Sequence, residues 1–235
     1  CLLLLGNAHA KHIVTVEAVT TGLYPTLDDL HPVQRALVEC HGSQCGFCTP
    51  GIIMSMLALY INNPSYPGKK AAIHALGGNL CRCTGYSPIL LAVEKAYSYE
   101  RKNEPYSAMA AQFKASLNTQ YDDDVPFLKN GPRKFYLPQN AKQLVELKAL
   151  YPHAHLVAGG TDFAIELSQN MLLPDVIISL SQAKELCTLS DNDGELHIGA
   201  ALPYSQFVDA FYNYYPESKE LFERLGSNQV RNSGT

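Results

Sequence analysis

Two pairs of cysteines constrain this chain more than any other feature: Cys45 and Cys48 in "HGSQCGFCTPG", and Cys81 and Cys83 in "GGNLCRCTGY". Spacings of C-x2-C and C-x-C turn each pair of sulfurs to one side of a short loop. Four such sulfurs can surround a zinc ion or a [2Fe–2S] cluster, since both accept four thiolates. Each pair is followed at once by a helix-start signal, Thr49 as N-cap with Pro50 first in the helix, then Ser87 with Pro88. Two helix N-termini would then point their free N–H groups and partial positive charge at the thiolates, which favours an anionic centre. Structural zinc pairs usually stand closer together in sequence. The residues alone leave zinc and iron–sulfur both open, beside the plainer reading of unligated core thiols.

Seven cysteines, an odd number mostly placed before residue 84, fit metal ligation in a reducing compartment better than a disulfide framework. Cys40 and Cys187 sit in apolar patterns and read as small buried hydrophobes. A balance of 18 basic and 22 acidic residues, net −4, gives no field to draw nucleic acid or anionic lipid. The opening "CLLLLG" lacks a basic lead and is too short for a signal sequence, and no window reaches membrane-spanning length. A soluble cytoplasmic protein is expected. No Ser-His-Asp or paired-carboxylate constellation marks a catalytic residue.

The chain changes character in its middle. Early on, Pro32 opens a helix in "LHPVQRALVEC", "CTPGIIMSMLALYINN" and "TGYSPILLAVEKAYSY" supply two more, and "GKKAAIHALGGN" a fourth, ended by Gly77 or Gly78. Later, "HLVAGGTDFAIELSQN" reads as strand, Gly-Gly turn and helix, "DVIISL" as a buried strand, and "LCTLSDNDGELHIGAAL" as two strands around an Asp-Gly turn. "YSQFVDAFYNYY" and "KELFERLGSNQV" are helix-like. The fold class is α+β: a small four-helix bundle followed by an α+β domain. The expected divisions are residues 1–20, 21–99, a polar linker over 100–133 holding one short helical piece, and 134–235.

The "HGSQCGFCTPGIIMSMLALY" block, the "GGNLCRCTGYSPIL" block, the helices between them and "LHPVQ" upstream together resemble the second iron–sulfur domain of the molybdenum hydroxylases, the xanthine dehydrogenase and aldehyde oxidase family. The resemblance covers almost the whole chain. "VECHGSQCGFC", "HIGAAL" and "QVRNSGT" are most like the iron–sulfur and FAD small subunit of its bacterial members. It implies that Cys45, Cys48, Cys81 and Cys83 ligate the [2Fe–2S] cluster nearer the molybdopterin, and that Gln44 approaches the pterin across the subunit contact. In "CLLLLGNAHAKHIVTVEAV", Cys1 resembles the fourth ligand of a preceding plant-type [2Fe–2S] domain, so residues 1–20 are expected to be its C-terminal remnant and a complete subunit to hold two clusters.

"LVAGGTD" read alone is a tight turn, but it resembles the family's first flavin loop, where main-chain N–H groups meet the FAD pyrophosphate. Leu156, Val157, Ala158, Gly159, Gly160, Thr161, Asp162 and Phe163 would carry that contact. A side chain at Gly159 or Gly160 would keep phosphate oxygens from the main-chain donors. Leu225 matches a position bordering the isoalloxazine, and Thr235 ends the lead into a second flavin loop, so the chain is expected to be cut at both ends. The resemblance implies electron relay: a molybdenum cofactor on a large partner subunit hydroxylates a purine, and electrons pass through [2Fe–2S] clusters to FAD and then NAD in a hetero-oligomer. The iron–sulfur and flavin subunit of an aldehyde- or carbon monoxide-oxidising relative, the latter disfavoured because that type usually encodes the two parts separately, and a zinc-stabilised binding module without redox function, are the alternatives.

Overall fold

A computed structural model describes residues 3–20, 25–101, 105–117, 127–192 and 194–235. It is a mixed α+β structure of two compact units, His12–Phe113 and Lys114–Thr235, the second joined by the described residues of Cys1–Lys11.

The first unit is built on four helices, α1 (Pro32–Glu39), α2 (Thr49–Asn62), α3 (Lys69–Leu76) and α4 (Ser87–Ala96). Pro32 presets the first turn of α1. The His31 imidazole caps it, with Nδ1 accepting from the Val33 N–H at 3.2 Å while Gln34 accepts from the His31 N–H at 3.3 Å. The helices start within one residue of the sequence signals, but their caps differ. Cys48 is the N-cap of α2, and Tyr86, in the left-handed region at φ 66°, is the N-cap of α4. Ile52, Ile53, Met56, Leu57 and Tyr60 of α2 and Ile89, Ala92, Val93 and Ala96 of α4 fall on one stripe of each helix and form the core with Val33, Ala36 and Leu37. At its rim Glu39 of α1 accepts from Lys95 at 2.6 Å, Arg35 at 2.7 Å and Tyr99 at 2.7 Å. These partners, Lys95 foremost, hold its carboxyl down to about 2. Arg101 stacks over the Tyr60 ring at 4.5 Å and donates to the carbonyls of Tyr60 and Asn63, closing the last turn of α2.

Helix α5 (Tyr106–Leu117) matches the short helical piece read in the 100–133 linker, but strand β1 (Phe127–Asn130) also falls there. It pairs antiparallel with β2 (Arg133–Tyr136) across Gly131-Pro132, Gly131 taking φ 60°. Glycine first in a two-residue loop is a hairpin signal, here lost among prolines and charges.

From β2 the chain runs through α6 (Ala141–Leu150), β3 (His155–Val157), α7 (Phe163–Gln169) and β4 (Val176–Ser179), giving the strand order β1-β2-β4-β3 with β2 and β3 both parallel to β4. Strands β5 (Leu189–Asn192) and β6 (Glu195–Ile198) make a separate antiparallel hairpin. Helix α8 (Tyr204–Tyr214) follows, then α9 (Lys219–Arg224) and α10 (Asn228–Arg231). The single helix read in "KELFERLGSNQV" is thus two. Gly226 adopts φ 62°, and the Ser227 side chain accepts from the Val230 N–H at 3.3 Å, ending one helix and capping the next.

Candidate functional site

The loop from α1 to α2 carries Cys45 and Cys48, and the loop from α3 to α4 carries Cys81 and Cys83. Both are tied down by their own side chains. In the first, Gly46 takes φ 85° and the Ser43 and Thr49 hydroxyls bond at 2.6 Å. In the second, the Tyr86 hydroxyl accepts from the Cys81 N–H at 2.8 Å, and the Thr84 hydroxyl both lies 3.2 Å from Cys81 Sγ and accepts from the Tyr86 N–H at 3.2 Å. Asn79 joins this loop to α2, donating to Ser55 Oγ at 2.7 Å. A Cβ on Gly51 would stand 2.8 Å from Asn79 Oδ1, so a side chain at that position of α2 would disturb the link.

The four thiols meet in cross pairs, one member from each loop, Cys45 with Cys83 and Cys48 with Cys81. The Thr84 hydroxyl, then the N–H groups of Thr84 and Cys83, lower the Cys81 thiol to about 7, and the Phe47 N–H followed by Cys83 lowers Cys45. Burial, then Cys81, raises Cys48, and Cys45 raises Cys83. One thiol of each pair is therefore biased towards the thiolate, the form that ligates metal. Among the described residues no group of three or more His, Cys, Asp or Glu is placed to hold a single metal ion. The donor set, two pairs of thiols with main-chain N–H groups directed at their sulfurs, fits a binuclear [2Fe–2S] core. Cys81 is 6% exposed, whereas Cys45 and Cys83 reach the surface, flanked by Phe47 and Leu80 at 94% and 80% exposure. Gln44 is exposed beside Cys45. Cys1 lies outside the described residues. Cys40 packs against the helical core, and Cys187 is half-buried, its thiol pushed up by burial.

In the other unit β3 ends at the buried Val157, whose carbonyl accepts from the Leu180 N–H at 2.8 Å, and the chain turns through Ala158–Gly160 into α7. Both glycines are also required by the fold itself. A Cβ on Gly159 would overlap the carbonyl oxygen of Ser233, and Gly160 adopts φ 77°. The stretch that crowds Gly159 is held in turn, since the Gly234 carbonyl accepts from the Tyr204 N–H at 2.9 Å. Among the described residues no acceptor takes the N–H groups of Gly159, Gly160 or Thr161. Beside them lies a cavity of about 260 Å³. Unengaged main-chain donors at a cavity fit a diphosphate.

Of the residues expected at a flavin, Ala158, Gly159 and Thr235 line the cavity; Leu156, Val157, Gly160, Thr161, Asp162, Phe163 and Leu225 do not. Phe163 packs on His155 with ring centres 5.3 Å apart, and Leu225 caps the C-terminus of α9. Asn7, Lys11, Ser181 and Gln206, unmarked in the sequence, also line it. No helix among the described residues is long and apolar enough to cross a membrane.

Residues 15–94 match the [2Fe-2S] binding domain family, and residues 130–235 match the FAD binding domain in molybdopterin dehydrogenase. The chain is 32% identical to xanthine dehydrogenase 1 of Arabidopsis thaliana, over 99% of this chain and 21% of that protein. It is 31% identical to xanthine dehydrogenase of Calliphora vicina, over 98% and 20%, and 29% identical to aldehyde oxidase 1 of Bos taurus, over 99% and 21%. It therefore spans about a fifth of the length of these relatives.

Proposed function

This chain belongs to the molybdenum hydroxylases, the family of xanthine dehydrogenase and aldehyde oxidase, and we propose that it relays electrons from a molybdenum centre on a partner subunit, through [2Fe–2S] clusters, to FAD and then NAD. The observation that carries this reading is the cross-pairing of four thiols from two loops. The clusters and flavin, when bound, supply the one- and two-electron chemistry. The protein supplies position and environment. Cys45, Cys48, Cys81 and Cys83 hold a cluster, with Thr84, Tyr86 and the adjoining N–H groups orienting the second pair and stabilising its negative charge. Gly159 presents its free N–H group to the flavin diphosphate from the cavity wall and Thr235 borders the cofactor; Gly160 and Thr161 add the neighbouring main-chain donors, the remaining residues of 156–163 shape the turn, and Leu225 is assigned to the flavin from the family resemblance alone.

The functional division follows the sequence reading: residues 1–20 close a ferredoxin-like domain in which Cys1 is the last ligand, 21–99 form the four-helix cluster-binding bundle, 100–133 connect, and 134–235 begin the flavin domain. Exposed Gln44, Phe47 and Leu80 lie next to cluster cysteines in the sequence and suit an interface with the molybdopterin subunit; we place the assembly in the cytoplasm as a hetero-oligomer. We place the purine on the partner. The similar identities to xanthine dehydrogenase and aldehyde oxidase, 32% and 29%, keep an aldehyde substrate as the second reading.

The test is steady-state oxidation of xanthine and of an aldehyde by the complete enzyme, with NAD and with an artificial dye as acceptor. Xanthine oxidation coupled to NAD supports the reading; aldehyde turnover alone moves it to the second. A colourless chain that binds zinc and no flavin would leave only the binding module.

A further inference from the structure

The cavity beside Gly159 has one wall from the opposite end of the chain. Leu3, Asn7 and Lys11 line it together with Ala158 and Gly159, although the two stretches are far apart in sequence. This wall is anchored. Asn7 is 5% exposed, and its Oδ1 accepts from Ser179 Oγ, at the end of β4, at 2.7 Å and from Ser181 Oγ at 3.4 Å. Gly6 lies so close to the Phe135 ring that any side chain there would collide with it. A short 3-10 turn over Leu5–Ala8 and a bond from the Lys11 N–H to the Ala8 carbonyl at 3.1 Å carry the chain to Lys11.

Lys11 alone among the lining side chains carries a formal charge, and it takes no part in the ion pairs found among the described residues. A cation outside the ion pairs of the described residues on one wall and the unengaged N–H group of Gly159 on another are complementary to a diphosphate. We propose that residues 3–11 are a wall of the flavin site and that Lys11 is its cationic contact to the dinucleotide diphosphate, an inference that rests on the flavin reading above. Residues 3–11 then serve the flavin site as well as lying in the segment assigned above to the end of the ferredoxin-like domain. Lys11 is a binding residue, with no part in electron transfer itself.

The test uses the complete protein stripped of FAD and titrated with FAD or riboflavin, followed by flavin fluorescence. Lys11→Gln should weaken FAD binding on the order of tenfold, the size of one charge-assisted hydrogen bond. Lys11→Arg should retain most of the affinity, and added salt should narrow the gap between parent and Lys11→Gln. Riboflavin, which has no phosphate, should bind all three alike. Unchanged FAD affinity in Lys11→Gln overturns the role of Lys11 while leaving the flavin reading intact. Equal losses for FAD and riboflavin also overturn it, because they mark a structural effect. A parent protein that binds neither ligand overturns both this inference and the flavin reading.

Discussion

Replacing Tyr86 by phenylalanine removes one atom, the hydroxyl oxygen that accepts from the Cys81 N–H at 2.8 Å. The ring, which packs against the helical core, is retained, so the change tests that hydrogen bond and little else. Cys81 is the most buried of the four thiol residues, and losing the partner of a largely desolvated N–H costs about 1 kcal/mol or somewhat more. In a unit of about 100 residues, 1 kcal/mol corresponds to a shift of about 4–8 °C in melting temperature. The assay is bleaching of cluster absorption on heating the whole chain at fixed scan rate, which reports on the helical unit and not on its neighbour. Tyr86→Phe should bleach about 5 °C below the parent, and its electron paramagnetic resonance signal should shift, since a second-shell change alters how Cys81 is held. Tyr97→Phe is the control. It removes a bond from the same core to the Leu59 carbonyl, 3.1 Å, and should lower stability without altering the signal. A Tyr86→Phe protein with parental bleaching temperature and parental signal would show that the hydroxyl does nothing for the site.

Replacing Cys45 or Cys48 by alanine should abolish the cluster and lower the stability of the helical unit, because binding energy at such a site is folding energy, as absorption and thermal melting will show. Gly160→Val, at φ 77°, should lower FAD content while leaving iron content intact, measured by flavin extraction and iron assay on the same sample. Glu39 gives a pH prediction. Its carboxyl is depressed from 4.5 to about 2 in the fold, so the stability it contributes is fully present above pH 4.5 and is lost as the pH falls towards 2. In metal-free protein followed by circular dichroism, Glu39→Gln should flatten the loss of stability across that window, and an identical acid profile would count against the Lys95–Glu39–Arg35 network.

What the sequence made legible was local. The cysteine spacings, Pro32, Pro50 and Pro88 near helix starts, and the strand–turn–helix around Gly159 and Gly160 depend on neighbours within a few residues, and each helix or turn lies where those signals put it. Long-range geometry stayed hidden. Asn7 meets Ser179 across 172 positions, so nothing in "LLGNAHAK" marks it as a wall of a cavity. The steric need for glycine at 159 comes from Ser233, and only the folded chain brings that carbonyl near. Tyr86 as a left-handed N-cap was equally unreadable, because a tyrosine at positive φ is disfavoured locally and is held there by its own N–H bond to Thr84 and its hydroxyl bond to Cys81. Gly226, by contrast, was a breaker in plain view that the amphipathic pattern around it concealed.

The most direct test of the central claim is the iron, acid-labile sulfide and zinc content of the 235-residue chain, purified without air, with its visible spectrum before and after dithionite. On the proposed reading Cys45, Cys48, Cys81 and Cys83 together hold about two irons and about two sulfides per chain, as one [2Fe–2S] core requires. The brown absorption should bleach on reduction. Stoichiometric zinc with no sulfide, or undiminished iron and sulfide in Cys81→Ala, would contradict the account.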